Sequence, residues 1–335
     1  MKMNEMIKSF PDQIIDQFEN LNSLDLSLHK FSNVNSIVIA GMGGSAISGD
    51  LVKLFLKNDI DVPITVLRDY SIPNWTNENT LFILSSYSGN TEETLSCFDL
   101  AVSKSRKVIS ISTGGNLETE SLNHEVPIVK IPKGYQPRAA LGFSLITLLC
   151  VLNKINLVNS NFIDKIIDAT KSLYQYMDEF CTKEGLAASI AKTINNSIIA
   201  IYGVENSTDH IASRLRAQIA ENSKMLTSFN VIPEMNHNEI EGWNSFQFKN
   251  LNKVAIWIYD EEDNPRILDR IKITTNLLEK IGVNNLLIKT SGKNYEERCL
   301  KLIYLNDWIS YYLAVENNID PIPVNRIMEL KSKLS

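Results

Sequence analysis

The sequence contains few of the residues that build metal centres and disulfide frameworks. The chain of 335 residues has four cysteines, none in a CxxC pair, and four histidines, none in an HExxH motif. A catalytic zinc ion needs about three converging protein ligands, and disulfide-rich domains have closely spaced cysteines. The sequence therefore predicts neither a metal site nor a disulfide framework, and we expect a protein of the reducing cytoplasm.

Blocks of positive charge and long apolar runs are absent as well. The net charge is −6, and no lysine- or arginine-rich segment is present that could neutralise a run of nucleic-acid phosphates. The N-terminus, "MKMNEMIKSFPDQIID", is charged throughout and lacks the apolar core of a signal peptide. The longest apolar-rich run, residues 139–152, is shorter than the about 20 residues that span a bilayer. We expect a buried core helix there, and neither nucleic acid nor membrane as a partner.

Short β-branched runs alternate with longer helical stretches, and the pattern occurs twice. We predict strands at 35–41, 63–70, 80–90, 107–113 and 126–132, a helix starting near Pro137, and then strands at 196–203, 253–260 and 284–290. A long helix is predicted from about Asn294 to Val315. Strands that alternate with helices form parallel sheets covered on both faces. The fold class is therefore α/β, with two domains of three layers each, residues 1–155 and 156–335.

A glycine-rich loop follows the first predicted strand. In "IVIAGMGGSAISGD", Gly43 and Gly44 allow a sharp turn, and Ser45 adds a hydroxyl at the start of a helix whose amides point outward. Such a junction binds an anion. The stretch Gly41 to Ala46 also satisfies the relaxed GxGxxG/A dinucleotide pattern, with Asp69 at a suitable distance downstream.

A second loop favours a compact phosphate over a dinucleotide. The segment "SSYSGNTEET" follows another predicted strand and presents Ser86, Ser88 and Thr91 as hydroxyl donors, with Gly89 for the turn. A dinucleotide domain has no use for a second hydroxyl-rich loop at the same sheet edge, whereas a phosphate does. The alternative is an ordinary helix start capped by Asn90 or Thr91.

Two charged residues could act on a bound anion. Arg138, in "YQPRAAL", follows Pro137 at an expected helix start and could stabilise an anionic intermediate, although most single arginines are solvated. Glu221 lies in "RLRAQIAENSKML", where α-helical spacing places it on one face with Arg214, Gln218 and Met225. We expect that face to line a cleft or a subunit contact. The alternative is a surface glutamate that pairs with Lys224.

His237 stands in an unusually polar setting, "IPEMNHNEIEGW". The other histidines are distant in sequence, so a metal site is not indicated, and Glu234, Glu239 and Glu241 are expected to shape the loop. A core position is also unsuitable, because the neighbouring asparagines and glutamates would each need a buried partner. An exposed or cleft-facing general acid/base remains as the prediction.

Six motifs in this order resemble a known family. They are "GMGGSAISGD", "SYSGNTEETL", "PRAAL", "AENSK", "PEMNHNEIEGW" and "DPIPVNRIMELKSKL". From about residue 35 to the C-terminus the chain is similar to the bifunctional phosphoglucose/phosphomannose isomerases, which are built from two sugar-isomerase (SIS) domains. "SYSGNTEET" is typical of any SIS domain, whereas "NHNEIEGW" with "ENSK" upstream is more specific.

The resemblance implies isomerisation of a hexose 6-phosphate without metal or cofactor. Phosphate would be bound by backbone amides near Gly44 and by the hydroxyls of Ser45, Ser86, Ser88 and Thr91. Glu221 matches the base that moves a proton between C2 and C1, Arg138 the cation that stabilises the cis-enediol intermediate, and His237 the acid/base for ring opening. Lys331 matches a lysine at the ring oxygen, with Lys333 as the alternative.

The resemblance also implies a homodimer in which His237 reaches the partner subunit's site. Family members have a hydroxyl residue near the C-terminal segment that helps to admit both epimers, but "DPIPVNRIM" contains no serine or threonine. We therefore expect less activity on mannose 6-phosphate than on glucose 6-phosphate. The other hypotheses are a non-catalytic SIS protein that binds a phosphosugar and a nucleotide-dependent oxidoreductase.

Overall fold

The protein is described by a computed structural model that covers residues 1–26, 28–244 and 250–334. The chain forms two compact units, one of Met1 and Ser9–Lys171 and the other of Lys2–Lys8 and Ser172–Ser335. The first helix, α1 (Met3–Lys8), thus belongs to the second unit.

The first unit is built on a parallel sheet. Its strands are β1 (Ser36–Ala40), β2 (Ile64–Leu67), β3 (Thr80–Ser86), β4 (Val108–Ser112) and β5 (Ile128–Lys130). Their order in the sheet is β2-β1-β3-β4-β5. Every residue of β1, β3 and β4 is buried, as expected for parallel strands covered on both faces.

Helices accompany this sheet along the chain. They are α2 (Phe10–Asn20), α3 (Gly43–Phe55), α4 (Glu92–Lys104), α5 (Gly115–Asn123), α6 (Leu141–Lys154) and α7 (Ser160–Ser172). Helix α6 contains most of the apolar run 139–152, and its residues 141–152 are all buried. The predicted core helix is therefore confirmed. No described helix has both the length and the apolar character needed to cross a membrane.

The second unit has a four-stranded parallel sheet. Its strands are β6 (Ser197–Val204), β7 (Ser228–Ile232), β8 (Asn252–Ile258) and β9 (Val283–Ile288), in the order β7-β6-β8-β9. Its further helices are α8 (Met177–Cys181), α9 (Leu186–Ile194), α10 (Asp209–Gln218), α11 (Glu239–Gly242), α12 (Pro265–Glu279), α13 (Tyr295–Glu316) and α14 (Asn325–Leu334). The two parallel sheets with flanking helices confirm the α/β prediction.

Strand β7 was not predicted from the sequence. It is an edge strand with only one fully buried residue, Ile232, so the apolar signal in "SFNVI" is weak. Its pairing with β6, which joins Ala200 to Ser228 and Val204 to Ile232, creates a strand that local composition does not reveal.

Helix α13 is buried along most of its length although it contains charged residues. Arg298 is 1% exposed and donates to both carboxylate oxygens of Asp260, at 2.7 and 2.9 Å, and to Glu262. These hydrogen bonds to Asp260 are the main reason that the pKa of Arg298 is raised. A buried charge is tolerated because its partner is hydrogen-bonded in a bidentate geometry.

We expect Arg298→Met to destabilise the second unit strongly. The substitution leaves the carboxylate of Asp260 buried without its partner, and such losses cost about 3–5 kcal/mol. The measurement is the free energy of unfolding in urea. Arg266→Met is the matched control, because Arg266 is 82% exposed and its ion pair with Asp269 should contribute less than about 1 kcal/mol. Equal losses in the two variants would contradict the prediction.

Candidate active site

Two loops meet at the carboxyl edge of the first sheet. Strands β1 and β3 are neighbours in register, with Ala40 beside Leu84, so the loops that follow them start side by side. Gly41 allows their close approach, since a Cβ at this position would lie 2.7 Å from the carbonyl oxygen of Ser85. The edge is the usual place for ligands in open α/β sheets.

The first loop leaves hydrogen-bond donors available. Helix α3 starts at Gly43, with φ +50°, and its preceding residue Met42 provides no side-chain cap. The amides of Gly43 and Gly44 and the buried hydroxyl of Ser45 have no hydrogen-bond partner within residues 1–26, 28–244 and 250–334. Unpaired amides at a helix N-terminus attract an anion.

The second loop is held by its own hydroxyls. Ser86 Oγ lies 2.8 Å from Thr91 Oγ1 and accepts a hydrogen bond from the Gly89 amide at 3.1 Å. The exposed Ser88 accepts from the Asn90 amide at 3.2 Å. Thr91 precedes α4, but its side chain makes no capping hydrogen bond to that helix. Thr91 thus occupies the N-cap position that the alternative expected, but it lacks the capping hydrogen bond, and Asn90 Oδ1 accepts from the amide of Asn116, outside α4.

Arg138 lies beside the first loop. It is only 4% exposed, within the short 3-10 helix Pro137–Ala139, and its Nη1 donates to Gln136 Oε1 at 3.4 Å. A Cβ on Gly44 would lie 2.8 Å from the Pro137 oxygen and 3.8 Å from Arg138 Cα. The structure thus brings Gly44 and Arg138 together and excludes the solvated role that is common for single arginines.

Glu221 lies in a π-helical segment, Ile219–Ser223, which we call the π-turn. The predicted helical face is wrong, because α10 ends at Gln218 and the wider π geometry rotates the residues that follow. Arg214 and Gln218, expected in a cleft, are 3% and 2% exposed and bind Asp307 on α13. Lys224 donates to the Glu221 carbonyl oxygen.

A cavity of about 640 Å³ adjoins the π-turn. Glu221 is in its wall, together with residues Lys224, Met225 and Leu226 and the C-terminal segment Pro323, Val324, Asn325, Arg326 and Ile327. The glutamate is half-buried, so its carboxylate has access to the cavity without being fully solvated. Of the described residues, His237 and Lys331 are not in this wall.

His237 is the last residue of a short 3-10 helix, Glu234–His237, whose neighbours pack into the core of the second unit. Met235 and Trp243, on either side, are buried in the apolar core. Glu239 accepts hydrogen bonds from Tyr202 Oη at 2.8 Å and from Asn230 Nδ2 at 2.7 Å, which supports its expected structural role. Burial and the charge of Glu239 raise the pKa of Tyr202. His237 itself is exposed.

The two candidate lysines differ in their contacts. Both are exposed on α14. Lys333 Nζ donates to Glu329 at 2.6 Å, whereas Lys331 has no hydrogen bond or ion pair with any residue that the structure describes. Lys331 is therefore the one whose ammonium group is available.

Sequence reasoning missed Asp307, which binds Gln218 at the end of α10, and Ser310, which binds Asn222 in the π-turn. Their signal was three polar residues, Asn306, Asp307 and Ser310, in the stretch "LNDWIS" of a mostly apolar helix. Throughout the described part of the chain, no group of three or more histidine, cysteine, aspartate or glutamate side chains is arranged to hold a metal ion.

Comparisons with known proteins match this architecture. Residues 183–334 match a family model described as the bacterial phospho-glucose isomerase C-terminal SIS domain. The C-terminal domain of glucosamine-fructose-6-phosphate aminotransferase from Francisella tularensis superimposes with a TM-score of 0.75 over 95% of this chain and 96% of that chain, at 16% identity. The fold and the loops at its sheet edge thus define a protein of the SIS class.

Sequence relatives give the family. The bifunctional phosphoglucose/phosphomannose isomerase of Caldicellulosiruptor bescii is 38% identical over 99% of both chains. The Aquifex aeolicus enzyme of the same name is 34% identical over 96% of this chain and 97% of its own. The chain belongs to the bifunctional phosphoglucose/phosphomannose isomerase family. This membership confirms the resemblance and sets aside the dinucleotide alternative for Gly41 to Ala46.

Proposed function

We propose that this enzyme interconverts glucose 6-phosphate and fructose 6-phosphate, and also accepts mannose 6-phosphate. The observation that carries the proposal is Glu221, a half-buried carboxylate in the wall of a cavity. Phosphate-binding loops would serve any SIS protein, but only a catalyst needs a carboxylate that can take a proton from C2 of the sugar and return it to C1.

In this proposal the other site residues bind the phosphate, stabilise the intermediate and assist at the ring oxygen. The phosphate is bound by hydroxyls and helix-start amides at Gly44, Ser45, Ser86, Ser88 and Thr91. Arg138 stabilises the negative charge of the cis-enediolate, and its burial supports this role because a buried cation interacts strongly with a developing anion. Lys331 assists at the ring oxygen, and its available ammonium group favours it over Lys333.

His237 opens the sugar ring, in a homodimer where it serves the partner subunit's substrate. Two observations support this part. The imidazole is exposed at the end of a short 3-10 helix, and it is not among the described residues in the wall of the Glu221 cavity. An imidazole exchanges protons near neutral pH, as ring opening requires.

A panel of sugar phosphates tests the activity. The purified enzyme is treated with a chelator and offered glucose, mannose and glucosamine 6-phosphates and arabinose 5-phosphate. We expect turnover of the two hexose 6-phosphates to fructose 6-phosphate. Binding of these sugars without turnover of any of them would instead identify a non-catalytic phosphosugar-binding protein.

We expect kcat/KM to be higher for glucose 6-phosphate than for mannose 6-phosphate. Val324, half-buried in the cavity wall, supplies no hydroxyl in the C-terminal segment. Val324→Thr should raise the mannose-to-glucose ratio of kcat/KM about fivefold, the worth of one hydrogen bond. Val324→Ala is the control that adds no hydroxyl and should leave the ratio unchanged. Equal kcat/KM for both sugars in the unmodified enzyme would contradict the prediction.

The second phosphate loop should tolerate no side chain at Gly89. Its φ is +72°, and a Cβ would lie 1.7 Å from the Gly114 oxygen, so Gly89→Ala must displace the loop and raise KM for glucose 6-phosphate. Gly134→Ala is the matched control, because φ is +97° there but no atom lies within 4 Å of the added Cβ. We expect only the control to keep its KM. An unchanged KM in both variants would argue against phosphate binding by this loop.

A further inference from the structure

We propose that Ser310 and Asp307 of α13 are positioning residues that hold the Glu221 carboxylate in place for proton transfer. The inference rests on the proposed function, in which Glu221 carries the proton. It goes beyond that function because neither residue is in the wall of the cavity: Asp307 binds the side chain of Gln218, and Ser310 binds the side chains of Asn222 and Ser223.

The π-turn needs support from outside. It continues α10 beyond Gln218 with a wider turn, a conformation that is rare in proteins. It ends at Ser223, and the next residue, Lys224, has the left-handed conformation, with φ +58°. An isolated segment of this kind would relax to the α-helix that the sequence predicts, and Glu221 would then rotate to another direction.

Ser310 holds the residues that follow Glu221. Its Oγ accepts a hydrogen bond from Asn222 Nδ2 at 2.9 Å and donates to the carbonyl oxygen of Asp307 at 2.7 Å. Its carbonyl oxygen accepts from Ser223 Oγ at 2.7 Å. Ser310, Asn222 and Ser223 are each 0% exposed, so water cannot replace these hydrogen bonds.

Asp307 holds the residues that precede Glu221. Its carboxylate accepts from Arg214 Nε at 3.1 Å and Nη2 at 2.6 Å, and from Gln218 Nε2 at 2.8 Å. Asp307 is 2% exposed and Arg214 3%, so this is a buried bidentate ion pair with a further amide donor. Such pairs are directional and fix the register of the helices they join.

The two anchors lie on either side of the catalytic residue. Gln218 is bound before Glu221, and Asn222 and Ser223 are bound after it. The backbone that carries Glu221 is therefore fixed at both ends to α13, while the side chain itself remains half-buried beside the cavity. A displacement of about 1 Å at a reacting group can cost about 10²-fold in rate, so these buried contacts would determine kcat.

The test uses Ser310→Ala, which removes the hydroxyl but keeps the carbonyl that Ser223 binds. We expect kcat for glucose 6-phosphate to fall about 10²-fold with KM changed less than about twofold. With glucose 6-phosphate deuterated at C2, the isotope effect on kcat should rise, because proton transfer becomes rate-limiting. Thr275→Ala is the control: it removes another buried helix hydroxyl of the same unit, which donates to the Lys272 oxygen, and should change neither value.

The decisive comparison is made in a Glu221→Gln background. If Ser310 acts through Glu221, adding Ser310→Ala there causes no further loss of the residual rate. An equal loss in both backgrounds overturns the proposal, as does an unchanged kcat in Ser310→Ala. Should Ser310→Ala fail to fold, Asn222→Ala replaces it in the same comparison, since it leaves Ser310 bonded to Asp307. If Glu221→Gln alone keeps full activity, it is the proposed function that fails.

Discussion

Glu221→Gln is expected to lower kcat for glucose 6-phosphate isomerisation by about 10²–10⁴-fold, the usual contribution of a general acid/base. The amide keeps the size of the side chain and can donate or accept hydrogen bonds, but it cannot take a proton from C2. KM should change less than about twofold, because the substitution leaves the proposed phosphate-binding residues unchanged. Initial rates in a coupled assay measure both values.

Two further variants test whether a loss of kcat in Glu221→Gln is due to the missing carboxylate. Glu279→Gln is the matched control, because Glu279 is an exposed glutamate at the end of α12, and its rate should be that of the unmodified enzyme. Glu221→Asp keeps the carboxylate but withdraws it by one methylene, so it should retain part of the rate. Full turnover by Glu221→Gln would remove the base from the mechanism and the main support of the proposed function.

Mixing two inactive variants is expected to restore activity. His237→Ala and Glu221→Gln homodimers each lack one group in every site. If His237 serves the partner subunit, a mixed dimer has one site with both groups intact and one with neither. Random exchange makes about half of the dimers mixed, so about a quarter of the unmodified activity should return. Activity is followed after brief unfolding and refolding of the mixture.

A second mixture provides the control for this experiment. The double variant Glu221→Gln, His237→Ala is refolded with the unmodified chain. In the composite arrangement each site of a mixed dimer has one missing group, so these dimers are inactive; with sites confined to one subunit they would keep half their activity. No recovery in the first mixture, with half activity in the mixed dimers of the second, would place His237 in its own subunit's site.

A separate experiment tests whether His237 opens the sugar ring, whichever subunit's site it serves. A ring-opening group is needed only for a closed sugar. His237→Ala should therefore slow turnover of cyclic glucose 6-phosphate more than turnover of an open-chain analogue, and an equal loss on both would contradict ring opening.

Local sequence patterns were enough to recognise the fold class and the loops. Fully buried parallel strands such as β1 and β3 consist of continuous apolar residues, so they are visible without any tertiary information. The glycines and hydroxyl residues that follow them are equally local, because a turn and a helix start depend on neighbours in the chain. Strand β7 was missed since an edge strand is stabilised mainly by its pairing with β6.

The helix face on which Glu221 lies could not be predicted from local sequence patterns. Its segment has helical spacing, and the spacing predicted a continuous α-helix with Glu221 on the face of Arg214. Asp307 and Ser310, about 90 residues further along the chain, bind Gln218 just before the π-turn and Asn222 and Ser223 within it. The burial of Arg138 beside Gly44 is likewise a contact between residues far apart in sequence.

The sequence by itself determined the α/β class and the two phosphate-loop candidates, because each depends on residue type and short-range spacing, and its resemblance to a known family supplied the candidate catalytic residues. Only the tertiary structure decided that Arg138 is buried, that Lys331 rather than Lys333 has an available ammonium group, and that Glu221 is carried by a π-turn in a cavity wall. The physical reason is that burial, ion pairing and a strained turn are set by contacts between distant segments, which outweigh local helical preference.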